Sequence, residues 1–164
     1  MFPSDATRLA VTVTIPQEAN INYGDQAGVL FYSSDAEWVK LVVEGDKTRG
    51  SRMIVLAHMP SNIDAVSQGE EPEACVDKKW VLGTECPQSV RLQLELRRGV
   101  ACCTVIASYN GNDPVELRVP FDCARLGVMA HLCREQAPAP REGWFHFSDF
   151  SGGKEAAAAE RGSR

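Results

Sequence analysis

The stretch that decides the fold is YGDQAGVLFYSSDAEWVKLVVE, residues 23–44. It reads as two strands joined by a tight polar turn at Ser33, Ser34, Asp35 and Ala36. Successive strand residues point to opposite faces of a sheet. In the second arm this puts Val39, Leu41 and Val43 on one side, and Trp38, Lys40 and Glu44 on the other. Val42 interrupts the polar set, so the outer face is expected to be partly covered. The first arm, Val29, Leu30, Phe31 and Tyr32, is a continuous apolar run, as a strand with cover on both sides requires. Gly24 and Gly28 flank its start, where a bend or a close backbone contact is expected.

The same period of two recurs on either side. Residues 8–15 place Leu9, Val11, Val13 and Ile15 on one face. Residues 45–50 form a Gly-bounded turn, and residues 51–59 a strand that Pro60 ends. Residues 90–98 alternate most clearly, with Val90, Leu92, Leu94 and Leu96 inward against Arg91, Gln93, Glu95 and Arg97 outward. After Gly99, residues 102–109 return as its partner. Asn110 and Gly111 have the residue types of a type I′ turn, which needs positive φ at both central positions. Residues 115–119, 125–133 and 144–150 complete the set. Residues 61–79 read as one long polar loop, with Glu70, Glu71, Glu73 and Asp77 as a solvated acidic face. With about nine short strands and no helical period in the body, the expected fold is an all-β jelly-roll sandwich of two antiparallel sheets. Residues 1–150 form one domain in this reading, and residues 151–164 a flexible C-terminal tail.

Composition excludes several classes. A formal net charge of −5 over 164 residues argues against a nucleic-acid partner, which requires clustered Lys and Arg. No apolar run approaches the roughly 18 residues of a membrane span. The N-terminal residues lack a basic segment followed by a long apolar one, so the expected location is cytoplasmic. The six cysteines, Cys75, Cys86, Cys102, Cys103, Cys123 and Cys133, are then expected to be reduced and to behave as small hydrophobes. A Cys75–Cys86 disulfide and a metal pair of His131 and Cys133 are the alternatives. No C-x-x-C pair or zinc spacing occurs, so neither a metal nor a cofactor is expected. P-loop, dinucleotide-binding and nucleophile-elbow motifs are also absent.

The outward residues supply the candidate site. Trp38, Lys40 and Glu44, joined by Arg91, Gln93 and Glu95 from a second strand, would combine an aromatic platform with hydrogen-bonding groups, as sugar sites do. The competing reading makes Trp38 a cap on the core edge and the charges plain solvent face. Trp80 and Trp144 read as core.

The order of motifs resembles the DUF1349 family. The carriers are Gly-Asp-Gln-Ala-Gly-Val-Leu-Phe-Tyr from Gly24, Asp-Ala-Glu-Trp-Val-Lys-Leu-Val-Val-Glu from Asp35, residues 90–98, Val-Ile-Ala-Ser-Tyr-Asn-Gly from Val105, and Trp-Phe-His-Phe-Ser-Asp-Phe from Trp144. The likeness covers residues 8–150, and sandwich modules of family 43 glycosidases share several of the motifs. It implies a concanavalin A-like lectin/glucanase fold. It also brings in the yeast regulation-of-enolase protein, and with it the alternative of an intracellular regulatory or protein-interaction role. Members of the family carry further strands before the segment that begins here near Arg8. The strand at residues 8–15 would then be an exposed sheet edge, open to a partner strand or to self-association. The family's Ser-Asp-Trp-rich loop is replaced by Pro60 to Asp64. Jelly-roll glucanases place their carboxylates as E-x-D-x-x-E on one strand, a run this chain lacks, which argues against glycoside hydrolysis. The expected function is therefore a non-catalytic, carbohydrate-binding-like module.

Overall fold

The computed structural model describes residues 8–15, 21, 23–48, 50–59, 74–84, 87–99, 102–122, 125–131 and 145–153. Ten strands run through them: β1 (Arg8–Thr14), β2 (Gln26–Ser34), β3 (Glu37–Gly45), β4 (Arg52–Met59), β5 (Cys75–Gly83), β6 (Ser89–Arg98), β7 (Cys103–Tyr109), β8 (Val115–Val119), β9 (Arg125–His131) and β10 (His146–Gly153). They form two five-stranded antiparallel sheets, ordered β10-β1-β6-β7-β8 and β5-β4-β3-β2-β9.

Alternation within each strand builds the core between the sheets. Leu9, Val11 and Val13 of β1 and Leu92, Leu94 and Leu96 of β6 meet Val29 and Phe31 of β2 and Val39, Leu41 and Val43 of β3, all essentially inaccessible. Trp80 of β5 packs against this core and lies edge-on to Tyr109, with ring centroids 5.4 Å apart. Burial of this many apolar side chains is the main source of stability. The central hairpin forms as its residues predict, and a register shift between Tyr32 and Ser34 places Tyr32 opposite Trp38 and Leu30 opposite Lys40. Asn110 (φ 48°) and Gly111 (φ 73°) form the expected turn, closed by the Asn112 amide donating to the Tyr109 carbonyl at 2.9 Å. The turn is also tied to β6, because the Arg91 amide donates to Asn110 Oδ1 at 2.8 Å.

Three expectations are corrected. Strand β1 is not a sheet edge: it is paired along its length with β6 on one side and β10 on the other. The described sheet edges are β10, β8, β5 and β9. The polar loop is shorter than residues 61–79, since Cys75, Val76, Lys78 and Lys79 pair with β4 as part of β5. Polar composition hid this strand because an edge strand buries little of either face; most of β5 is exposed. The final strand runs past residue 150, with Ser151, Gly152 and Gly153 paired to Ala10, Leu9 and Arg8. A bulge in β10 at Asp149 (φ 50°) and Phe150 breaks the period-two pattern that would have announced it. The acidic residues Glu70, Glu71 and Glu73, the Pro60–Asp64 replacement, Trp144, and residues 154–164 lie outside the described residues. Cys75, Cys102 and Cys103 are free thiols, whereas Cys86, Cys123 and Cys133 fall outside the described set.

Candidate functional site

The six residues singled out by sequence do not form one site. Trp38, Lys40 and Glu44 lie on β3, and Arg91, Gln93 and Glu95 on β6, in different sheets. Each set alternates with residues that meet in the shared core, so the two sets look outward on opposite sides of the sandwich.

On the β6 side the polar groups are tied up within the fold. Arg91 Nη1 donates to the Asp149 carbonyl at 2.8 Å and to Thr12 Oγ1 at 3.4 Å, and Nη2 donates to Ser151 Oγ at 2.8 Å. Arg91 thus reaches across β1 and clamps the bulge of β10. Gln93 Oε1 accepts from Arg8 at 2.7 Å, and Glu95 accepts from Arg97 Nε at 2.7 Å. Arg91 and Gln93 thereby hold β10, β1 and β6 in register, whereas the Glu95–Arg97 pair lies within β6.

The β3 side is different. The outer face of its sheet carries a second apolar cluster of Val42, Met53, Val55 and Ala57, with Trp38 and Met129 packed against it. Val42 therefore signalled real cover. Beside this cluster is a pocket of about 210 Å³ lined by Leu30, Tyr32, Asp35, Trp38, Lys40 and Met129. Two glycines keep its surroundings low. Gly28 stands opposite Val42 and Met129, and Gly127 opposite Leu30. A Cβ at Gly127 would meet open space.

Lys40 Nζ donates to Gln26 Oε1 at 2.7 Å and sits 5.4 Å from the centre of the Trp38 ring. The ring quadrupole attracts such a cation. Burial pushes the Lys40 ammonium below its ordinary pKa, and the charge of Glu44 partly offsets this. Burial likewise raises Glu44 above the usual carboxylate range, against the opposing pull of Lys40, Lys79 and His131. The Tyr32 hydroxyl donates to Asp35 Oδ1 at 2.8 Å, and that bond is the main cause of its raised pKa. Tyr32 therefore remains a neutral phenol through the physiological range. The pocket joins an indole face and two apolar walls to an ammonium, a phenol and a carboxylate. Among the described residues no group of three His, Cys, Asp or Glu side chains is placed to hold a metal ion.

The raised pKa of Glu44 has a measurable consequence. A carboxyl that holds its proton more tightly folded than unfolded favours the fold below the carboxylate range, and that contribution is lost as pH rises through the folded value. Glu44→Gln should therefore gain stability relative to wild type between pH 4 and pH 7. Because the group is half exposed, the gain should stay under about 1 kcal/mol. Urea melts of both proteins at the two pH values measure it, and a relative loss at pH 7 would contradict the assignment.

Sequence reasoning found Trp38, Lys40 and Glu44 but missed Gln26, Leu30, Tyr32, Asp35 and Met129. The first four lie on or beside the arm of the hairpin that the sequence does identify, but an irregularity between Tyr32 and Ser34 sets the register that pairs Tyr32 with Trp38 and Gln26 with Glu44. Met129 had no such signal, since β9 joins β2 from about a hundred residues further along the chain.

Solved structures share this architecture. A protein of unknown function from Saccharomyces cerevisiae matches with a TM-score of 0.55 and 18% identity, over 93% of this chain and 71% of the other. A mutant of the GH43 protein BlXynB from Bacillus licheniformis matches with a TM-score of 0.56 and 14% identity, over 90% of this chain. The fold is a concanavalin A-like jelly-roll sandwich. This chain spans only 27% of that GH43 protein. No family model and no curated protein matches the sequence. Among the described residues no helix is long and apolar enough to cross a membrane.

Proposed function

We propose that this chain is a non-catalytic, carbohydrate-binding-like module that holds a sugar ring on the outer face of the β5-β4-β3-β2-β9 sheet. The pocket formed by Trp38, Tyr32, Asp35 and Lys40 carries the proposal. A pyranose has apolar C–H faces and a polar rim. The pocket offers an indole with apolar walls for the first, and donors and an acceptor at its margin for the second. At about 210 Å³ it suits one ring of a chain, being smaller than sites that enclose a whole drug-sized ligand. Among the described residues Asp35 is the one carboxylate in its lining, whereas glycoside hydrolysis uses a facing pair. The similarity to about a quarter of a GH43 protein, and the DUF1349 resemblance, fit a module of this kind.

The test is calorimetric titration of the native protein with a panel of neutral and acidic oligosaccharides. Saturable binding to at least one class is expected, and silence across the panel would remove the proposal. A second reading, an intracellular protein-interaction module like the enolase regulator, is favoured by edge strand β5. There Val76 and Val81 are 50% and 69% exposed. A concentration-dependent mass in sedimentation, together with silence in the glycan panel, would select that reading.

A further inference from the structure

The Trp38 pocket has a direction. Lys40 and Asp35 both line it, and along the hairpin they stand on opposite sides of the Trp38–Tyr32 pair. Asp35 lies at the turn, where its Oδ1 accepts from the Tyr32 hydroxyl at 2.8 Å. Lys40 lies on the inner side, opposite Leu30. An ammonium has three N–H donors. One of them goes to Gln26 Oε1 at 2.7 Å, a neutral amide, and the only ring beside the charge is the Trp38 indole. Among the described residues Lys40 makes no ion pair. Burial has taken water from this ammonium, and the charge opposing that loss is Glu44, itself held toward its neutral form by burial. A cation withdrawn from water is costly until an anion meets it. The surrounding face has the same sign. Strand pairing places Lys40, Lys79 and Arg125 on it, opposite Leu30, Val55 and Tyr32, with His131 opposite Gln26. Against them stand the carboxyls of Asp35 and Glu44, on a chain whose net charge is −5. Arg125 is close enough for its charge to reach the Tyr32 phenol.

Given the sugar-binding reading, on which this inference rests, we propose that the pocket selects a sugar carrying a carboxylate, a hexuronate unit, with Lys40 Nζ as the partner of the acid group. Nζ is 5.4 Å from the centre of the indole, so a ring stacked on Trp38 has one edge beside the ammonium. A hexuronate bears its carboxylate on the ring carbon next to the ring oxygen, and the group projects from the ring's edge. Turned toward Lys40, it meets the N–H donors that Gln26 leaves open. The hydroxyls of the opposite edge then point toward Asp35, whose remaining lone pairs accept them. The reverse orientation would bring two carboxylates together at the turn, which like charges oppose.

The test compares trisaccharides of glucuronate, galacturonate and mannuronate with their methyl esters by calorimetric titration at pH 7. The ester keeps the ring and its hydroxyls and removes the charge. At least one acid should bind about tenfold more tightly than its ester, as a charge-assisted hydrogen bond provides. The ratio should shrink as salt rises from about 0.05 M to about 0.5 M. Lys40→Gln should bring it to about one. Lys79→Gln removes the same charge from the same face, two strands and about 10 Å away, and should leave the ratio within about twofold. That control separates a contact from a general field. Circular dichroism checks that each variant folds, and the acid–ester comparison on the native protein stands without any variant. Equal affinity for acid and ester, a ratio that survives Lys40→Gln, or silence from all three acids while a neutral sugar binds would overturn this inference and leave the sugar reading standing. Propionate binding as tightly as the acids would show that the ring is not read, and would overturn both. Silence from every sugar, neutral or acidic, would do the same.

Discussion

Gly28→Ala should cost about 3 kcal/mol of folding free energy, as overpacking against rigid backbone does. Gly28 lies in the middle of β2, and a Cβ built there would fall on the carbonyl oxygen of Leu41 and 2.7 Å from Val42 Cα. Both belong to the β3 backbone, which is held by β4 on its other side. No flexible side chain is there to move away, so β2 and β3 must separate or twist. The damage would spread to the pocket, since Leu30 and Tyr32 follow on β2 and Lys40 and Trp38 face them. Gly127→Ala is the matched control, because its Cβ meets nothing within 4 Å. Denaturant melts of both variants make the comparison. A loss under 1 kcal/mol for Gly28→Ala would show that the two strands are not held as closely as described.

Trp38→Ala should weaken saccharide binding by about 2 kcal/mol, roughly thirtyfold, as removal of a central aromatic contact does. It removes the indole face from the pocket and the ring over which Lys40 is held. Arg91→Ala should leave that affinity unchanged, because Arg91 faces away on the other sheet. Its effect should be on stability instead, about 2 kcal/mol, since it leaves the Asp149 carbonyl and Ser151 without their charged donor. Paired titrations and melts of the two variants separate the roles. Equal loss of binding in both would mean that the ligand contacts the opposite face, and the pocket would be the wrong site. Gly127→Leu adds a further check: it should fill the space beside Leu30 and block binding while the protein stays folded.

The contrast between these two residues shows how far the sequence reached. Read along their strands, Trp38 and Arg91 look alike, each an outward residue followed by a buried aliphatic, Val39 and Leu92. Alternation assigns a residue to one of two faces of its own strand, and it did so correctly for β3 and β6. It carries no information on which sheet a strand joins. Uniting the two sets in one site was therefore an error that no closer reading of period two would have removed.

What the chain determined by itself is local: the central hairpin, the turn at Asn110 and Gly111, the inward and outward residue of each well-patterned strand, and the all-β class. These follow from side-chain period and turn chemistry, which act between residues close along the chain. Tertiary structure alone decided that β1 lies between β6 and β10, that Arg91 clamps a bulge, and that Met129 closes the Trp38 pocket. Each depends on pairing between strands far apart in sequence. Such pairing is set by how the whole set of apolar faces can be buried at once, and no single segment encodes that.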